Sequence, residues 1–109
     1  MPYKIIPTPE FIKNVKNLRK KFKNIKTDIE NLSLKLENNP TIGTKLSTNT
    51  YKIRLKNSDI NKGKSGGYRV ITYIVNQQNE IILLTIYAKS NQEIITDSEI
   101  EKLIDNTNN

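Results

Sequence analysis

The side chains in this sequence that could do chemistry are cations and tyrosines. They gather around Lys62-Gly63-Lys64-Ser65-Gly66-Gly67-Tyr68-Arg69-Val70-Ile71-Thr72-Tyr73. This stretch opens as a basic, glycine-rich loop, and glycine lets backbone approach a ligand closely. It ends in Val, Ile, Thr and Tyr, which favour the pleated state. Lys62 and Lys64 therefore sit on a loop, and Arg69 stands at the mouth of a strand. Such a cradle suits a phosphate group. A solvated hairpin loop would have the same composition, and this stretch alone does not separate the two. Arginine is scarce here, with only Arg19, Arg54 and Arg69 in a chain whose default cation is lysine. What arginine adds over lysine is a planar fork of donors.

Composition removes most other chemistries. There is no histidine and no cysteine. Imidazole acid–base pairs, thiolate nucleophiles, disulfides and most zinc sites are excluded. No metal and no cofactor is expected. The formal net charge of +7 favours polyanions such as RNA, DNA or an acidic protein. The excess of Lys, Asn and Ile is also what an AT-rich genome produces. The length of 109 residues suits one domain, residues 1–109. The start, Met1-Pro2-Tyr3-Lys4, lacks the apolar core of a signal peptide, and no apolar run would span a bilayer. The expectation is a cytoplasmic protein without a membrane partner.

The elements that must position these residues can be read in order. Tyr3-Lys4-Ile5-Ile6-Pro7 reads as a short strand. Thr8 is a helix N-cap, Pro9 suits the first helical position, and Glu10 faces the positive end of the dipole. Phe11, Val15, Leu18 and Phe22 recur at helical spacing, with Lys13, Lys16, Lys20 and Lys21 opposite. A second helix carries Ile25, Ile29, Leu32 and Leu36, with Thr27-x-x-Glu30 as its capping box. Asn38-Asn39-Pro40 ends it. Residues 41–49 read as loop, with a short hairpin around Gly43.

Thr50 to Leu55 alternates as a strand. Tyr51, Ile53 and Leu55 point one way; Lys52, Arg54 and then Lys56 point the other. Tyr68–Val75 is the next strand, Asn76–Asn79 a turn, and Glu80–Tyr87 a strand apolar on both faces and hence central. Thr96-x-x-Glu99 caps a last helix over residues 97–105. The fold expected is α+β: an N-terminal strand and helical hairpin packed on a largely antiparallel β-sheet, here a three-stranded meander, with a C-terminal helix. One register decides the chemistry. If residues of the last two strands pair so that their numbers sum to 156, Arg69 lies opposite Tyr87, and Lys89 extends the row. A slip of one residue breaks the cluster.

Several of these pieces together resemble the bacterial RelE/ParE superfamily of toxins from type II toxin–antitoxin systems. They are the charged helical hairpin ending in Asn38-Asn39-Pro40-x-x-Gly43, Ile53-Arg54-Leu55, the stretch Gly63 to Tyr73, and Leu83-Leu84-Thr85-Ile86-Tyr87-Ala88-Lys89. The likeness covers about Phe11 to Leu103 and is greatest to the HigB/RelE-type branch, whose members cut messenger RNA in the ribosomal A site. It implies a small RelE-like domain acting as a ribosome-dependent endoribonuclease without a metal. It also implies three partners: the ribosome, its mRNA, and an antitoxin, in such systems a DNA-binding helix-turn-helix protein.

The chemistry can be set beside that likeness. RNA carries its own nucleophile, the 2′-hydroxyl. Transesterification needs a base for it, positive charge for the phosphorane, and an acid for the leaving 5′-oxygen. Arg69 would clamp the phosphate. Lys89 would hold charge or act as acid, and Tyr87 would stack on a base or exchange a proton. Arg54, Lys56, Lys62 and Lys64 would grip the backbone, and one lysine would serve as base if neighbouring cations depress its pKa. Tyr68 and Tyr73 read as packing aromatics. Two other readings use the same residues: a ParE-like inhibitor of DNA gyrase, and an RNA-binding module without catalysis.

Overall fold

The computed structural model describes residues 2–61, 66–91 and 94–107. β1 (Lys4–Pro7) leads at once into α1 (Pro9–Arg19). Thr8 makes that corner. Its Oγ1 accepts from the Phe11 N–H at 3.1 Å and lies 3.0 Å from the Leu83 carbonyl, so one hydroxyl caps the helix and ties it to the sheet. α2 (Ile25–Asn38) follows a short connection in which Phe22 is buried. The helix begins two residues before Thr27, with Asn24 at its cap position. Thr27-x-x-Glu30 therefore lies inside the helix and is not its capping box. What fixes the start instead is Asp59, whose carboxylate accepts from the Asn24 N–H and side-chain amide at 3.0 and 2.9 Å.

The remaining strands are β2 (Thr44–Ser47), β3 (Thr50–Leu55), β4 (Tyr68–Val75) and β5 (Glu80–Ala88). Residues 44–47 were expected as loop; they pair with β3, and the hairpin turns at Thr48-Asn49, with Asn49 at φ 62°, not around Gly43. Gly43 has another task. Its φ is 102°, and a Cβ there would stand 2.4 Å from the Lys52 carbonyl oxygen. The meander thus has four strands. β2 was hidden because all four of its residues are exposed and carry no alternation.

The sheet order is β1-β5-β4-β3-β2. β1 runs parallel to β5, with Ile5 beside Ile81, and every other pair is antiparallel. β5 is thus an interior strand, flanked on both sides, which explains its apolar residues on both faces. Where β1 ends, Asn14 of α1 takes over the β5 edge: its Oδ1 accepts from the Ile86 N–H at 3.2 Å and the Thr85 hydroxyl at 2.7 Å.

Two cores result. On one face, α1 and α2 cover Ile53, Tyr68, Val70, Ile74, Ile81, Leu83 and Ile86. On the other, α3 (Asp97–Thr107) lays Ile100, Leu103 and Ile104 over Ile71, Ile82 and Leu84. The Thr96–Glu99 capping box forms, with the Glu99 N–H donating to Thr96 Oγ1 at 3.1 Å and the Thr96 N–H donating to Glu99 Oε1 at 3.3 Å. α3 runs to Thr107, two residues further than the sequence suggested.

Candidate nucleic-acid interface

Strand pairing places the central side chains. Arg54 of β3 pairs with Arg69 of β4, and Arg69 pairs with Tyr87 of β5. Directly opposed residues of an antiparallel ladder share a face. Arg54, Arg69 and Tyr87 therefore form one row across three strands, on the face that carries α3. The register is the one summing to 156 from Tyr68↔Ala88 to Ile71↔Thr85. It then slips by one at a bulge beside Ile71/Thr72, so Tyr73 pairs with Ile82. The bulge lets the open end of the hairpin aim Arg69 and Tyr87 together while the closed end keeps its own pattern.

The row is unusual electrostatically. Arg69 is only 5 % exposed, and its Nη1 donates to the Tyr68 carbonyl at 3.1 Å. Burial lowers its pKa first, and the positive charge of Arg54 lowers it further; Tyr87 acts in the opposite sense. Two guanidiniums directly opposite each other repel. An anion between them would relieve that repulsion. Tyr87 is 7 % exposed, and its hydroxyl is buried without a hydrogen-bond partner. Burial raises its pKa above the usual phenol value; Arg69 works against this rise and Glu99 of α3 adds to it. The phenol thus keeps its proton and is available as a donor.

The other expected residues divide. Lys89 follows β5, is half-buried, and its N–H donates to the Gly67 carbonyl at 3.0 Å, which continues the ladder by one step. Strand alternation puts it on the face of Tyr87. Lys56 lies just past β3 and is exposed, as is Arg54. Lys62 and Lys64 lie outside the described residues. Tyr68 is a core residue: it is fully buried and meets Phe22 edge to face at 5.8 Å. Tyr73 packs against the second core.

Sequence reasoning missed the anchors that hold the approach to the loop. Asp28 of α2 is 7 % exposed and accepts from both the N–H and the hydroxyl of Ser58, at 3.0 and 3.1 Å. Asn57, 1 % exposed, accepts from the Asp59 N–H at 2.9 Å. On the far side Gly67 approaches so closely that a Cβ would stand 2.2 Å from the Leu55 carbonyl oxygen. The one signal in the sequence was Asp28 itself, an acid on the apolar stripe of its helix. Glu99 was visible as a capping residue, but nothing showed that it acts on Tyr87. Among the described residues no group of acidic side chains is arranged to hold a metal ion, and no helix is long and apolar enough to cross a membrane.

The fold is that of the RelE toxins. The free E. coli RelE toxin, in a doubly substituted form, superposes with a TM-score of 0.65 at 19% identity, over 95% of this chain and 99% of that one. The toxin–antitoxin complex RelBE of E. coli gives 0.58 at 16% identity, over 79% of this chain and 95% of the other. The RelBE2 complex of Mycobacterium tuberculosis gives 0.55 at 17%, over 81% and 92%. No protein-family model matches the sequence, and no curated relative does.

Proposed function

We propose that this chain, built on the RelE fold, is the toxin of a type II toxin–antitoxin pair and acts as a ribosome-dependent endoribonuclease on mRNA. The observation that carries the reading is the row Arg54–Arg69–Tyr87, in register on one sheet face. Two guanidinium forks offer positive charge to a phosphorane, and a protonated phenol stands beside them. In the reaction the 2′-hydroxyl attacks the adjacent phosphorus and gives its proton to a base. The bond from phosphorus to the 5′-oxygen breaks, and that oxygen takes a proton. Tyr87, held protonated by burial, suits the donor's role better than the base's. Lys89 supplies further charge or a second proton source, and Lys56 with Lys62 and Lys64 grips the flanking backbone. All these groups come from the chain itself, so the reaction needs no metal from the protein.

The proposed partners follow from the same reading: the ribosome and its mRNA in the cytoplasm, and a cognate antitoxin, since two of the RelE-fold structures are complexes with one. The test is a translation extract supplied with the purified protein. Messages truncated at ribosome-bound codons, and left intact by Arg69→Ala, support the reading. Intact messages with blocked DNA supercoiling would replace it with gyrase inhibition. Salt-sensitive RNA binding without cleavage would replace it with a plain binding module.

A further inference from the structure

A second surface lies on the opposite face of the sheet from the Arg69 row. α1 and α2 do not close completely over β1 and β5. Between them runs an open groove of about 610 Å³, within the size range of ligand and peptide pockets, roughly 300–1,000 Å³. Its floor is Ile5 and Leu83, and its apolar walls include Phe11, Val15 and Ile29. Ile12, 56 % exposed, stands at its lip. The rim carries Lys16, Arg19 and Lys26, against Glu30 as the single acid among the lining residues.

We propose that this groove docks an amphipathic helix of a partner protein, with apolar residues on one stripe and acidic residues on both flanks. Three features select that occupant. The walls are two helices, so an extended segment would find no free backbone ladder there, whereas a third helix packs its ridges into such a trough. The floor wants aliphatic anchors at spacings of three and four. The rim is cationic, so the flanks must be acidic. A second copy of this chain fits poorly, because its own α1 and α2 expose Lys13, Lys16, Lys20 and Lys26 and would bring like charge to like charge. The inference does not depend on what the Arg69 face does.

The test uses the full-length protein, isotope-labelled, and two synthetic peptides of about 20 residues, long enough to hold helix. Both carry leucines at i, i+4, i+7 and i+11; one has glutamate flanks and the other lysine flanks. The glutamate peptide is expected to shift the amides of Ile12, Val15, Lys16 and Ile29 saturably. It should bind about tenfold more tightly than the lysine peptide and lose most of that margin in high salt. Ile12→Glu should weaken it about tenfold. The double variant Lys16→Glu, Lys26→Glu leaves the floor intact and should reverse the preference between peptides. Equal affinity of the two peptides, shifts confined to the Arg69 face, or no saturation would overturn the proposal. So would a dimer in sedimentation that Ile12→Glu dissolves, since a second copy would then be the occupant.

Discussion

Arg54 and Arg69 face each other directly across β3 and β4, one exposed and the other 5 % exposed. Like charges placed so are unfavourable unless something negative joins them. The pair therefore predicts an anion site that can be read without any catalytic assay. Sulfate should raise the melting temperature of the wild type by several degrees, and much less for Arg54→Gln. In cleavage, Arg69→Ala should cost about 10²–10³-fold in rate, the usual loss when a donor to a developing anion is removed. Arg54→Gln should act mainly on KM.

Tyr87 gives a pH signature. Its pKa is raised by burial and by Glu99, with Arg69 opposing. A group that must donate a proton works below its pKa, so cleavage should fall as pH climbs through that raised value. Glu99→Gln keeps the capping geometry with Thr96 but removes the charge. The alkaline limb should then move to lower pH, while Tyr87→Phe should remove the limb and about 10²-fold of the rate. A pH–rate profile of the three proteins decides.

Asp28 predicts a split between binding and turnover. It is the acceptor for two donors of Ser58, and so holds the segment beginning at Lys56 against α2. Asp28→Ala should destabilise the protein by about 2–3 kcal/mol in urea unfolding, because buried donors lose their partner. Asp28→Asn keeps one acceptor and should cost about 1 kcal/mol. At temperatures where this variant is fully folded, its KM for RNA should rise while kcat stays near wild type. A fall in kcat at constant KM would mean that Asp28 serves the fold alone.

Tyr68 makes a stability prediction. Its hydroxyl is buried and has no hydrogen-bond partner, and burial, with Asp28 and Asp59, pushes its pKa well above the ordinary phenol value. A group with a raised folded pKa contributes fully below its unfolded pKa, about 10, and the contribution is lost as pH rises above that. The wild type should lose stability steeply above about pH 10. Tyr68→Phe should be neutral or slightly stabilising at pH 7, within about 1 kcal/mol, and should flatten that alkaline decline.

Local chemistry made most of this fold legible. Thr8-Pro9 announced α1, and the alternation in β3 and the shared apolar faces of β4 and β5 marked the meander. The pairing of Arg69 with Tyr87 was one of two registers that the apolar pattern allowed equally, and the structure selects it only as far as the bulge at Ile71/Thr72. What stayed hidden depends on long-range contact. β2 has no buried residue to betray it. The start of α2 is set by Asp59, 35 residues away from Asn24 in sequence. Nothing local in Asp28 or Glu99 says which strand or loop it will meet. The sequence also offered no view of the groove, since a trough between two amphipathic helices is a matter of how far apart they are seated.

The parallel pairing of β1 with β5 sets the order of assembly. The hairpins β2–β3, β3–β4 and β4–β5 join neighbours in sequence and close small loops. Lys4–Pro7 must instead wait for Glu80–Leu83, and the whole helical hairpin and meander intervene. Contacts of such high sequence separation are late and slow to form. A newly made chain therefore passes through a period in which the meander exists but its flank at β5 is bare, and during that interval the bare flank is open to any other strand that reaches it first.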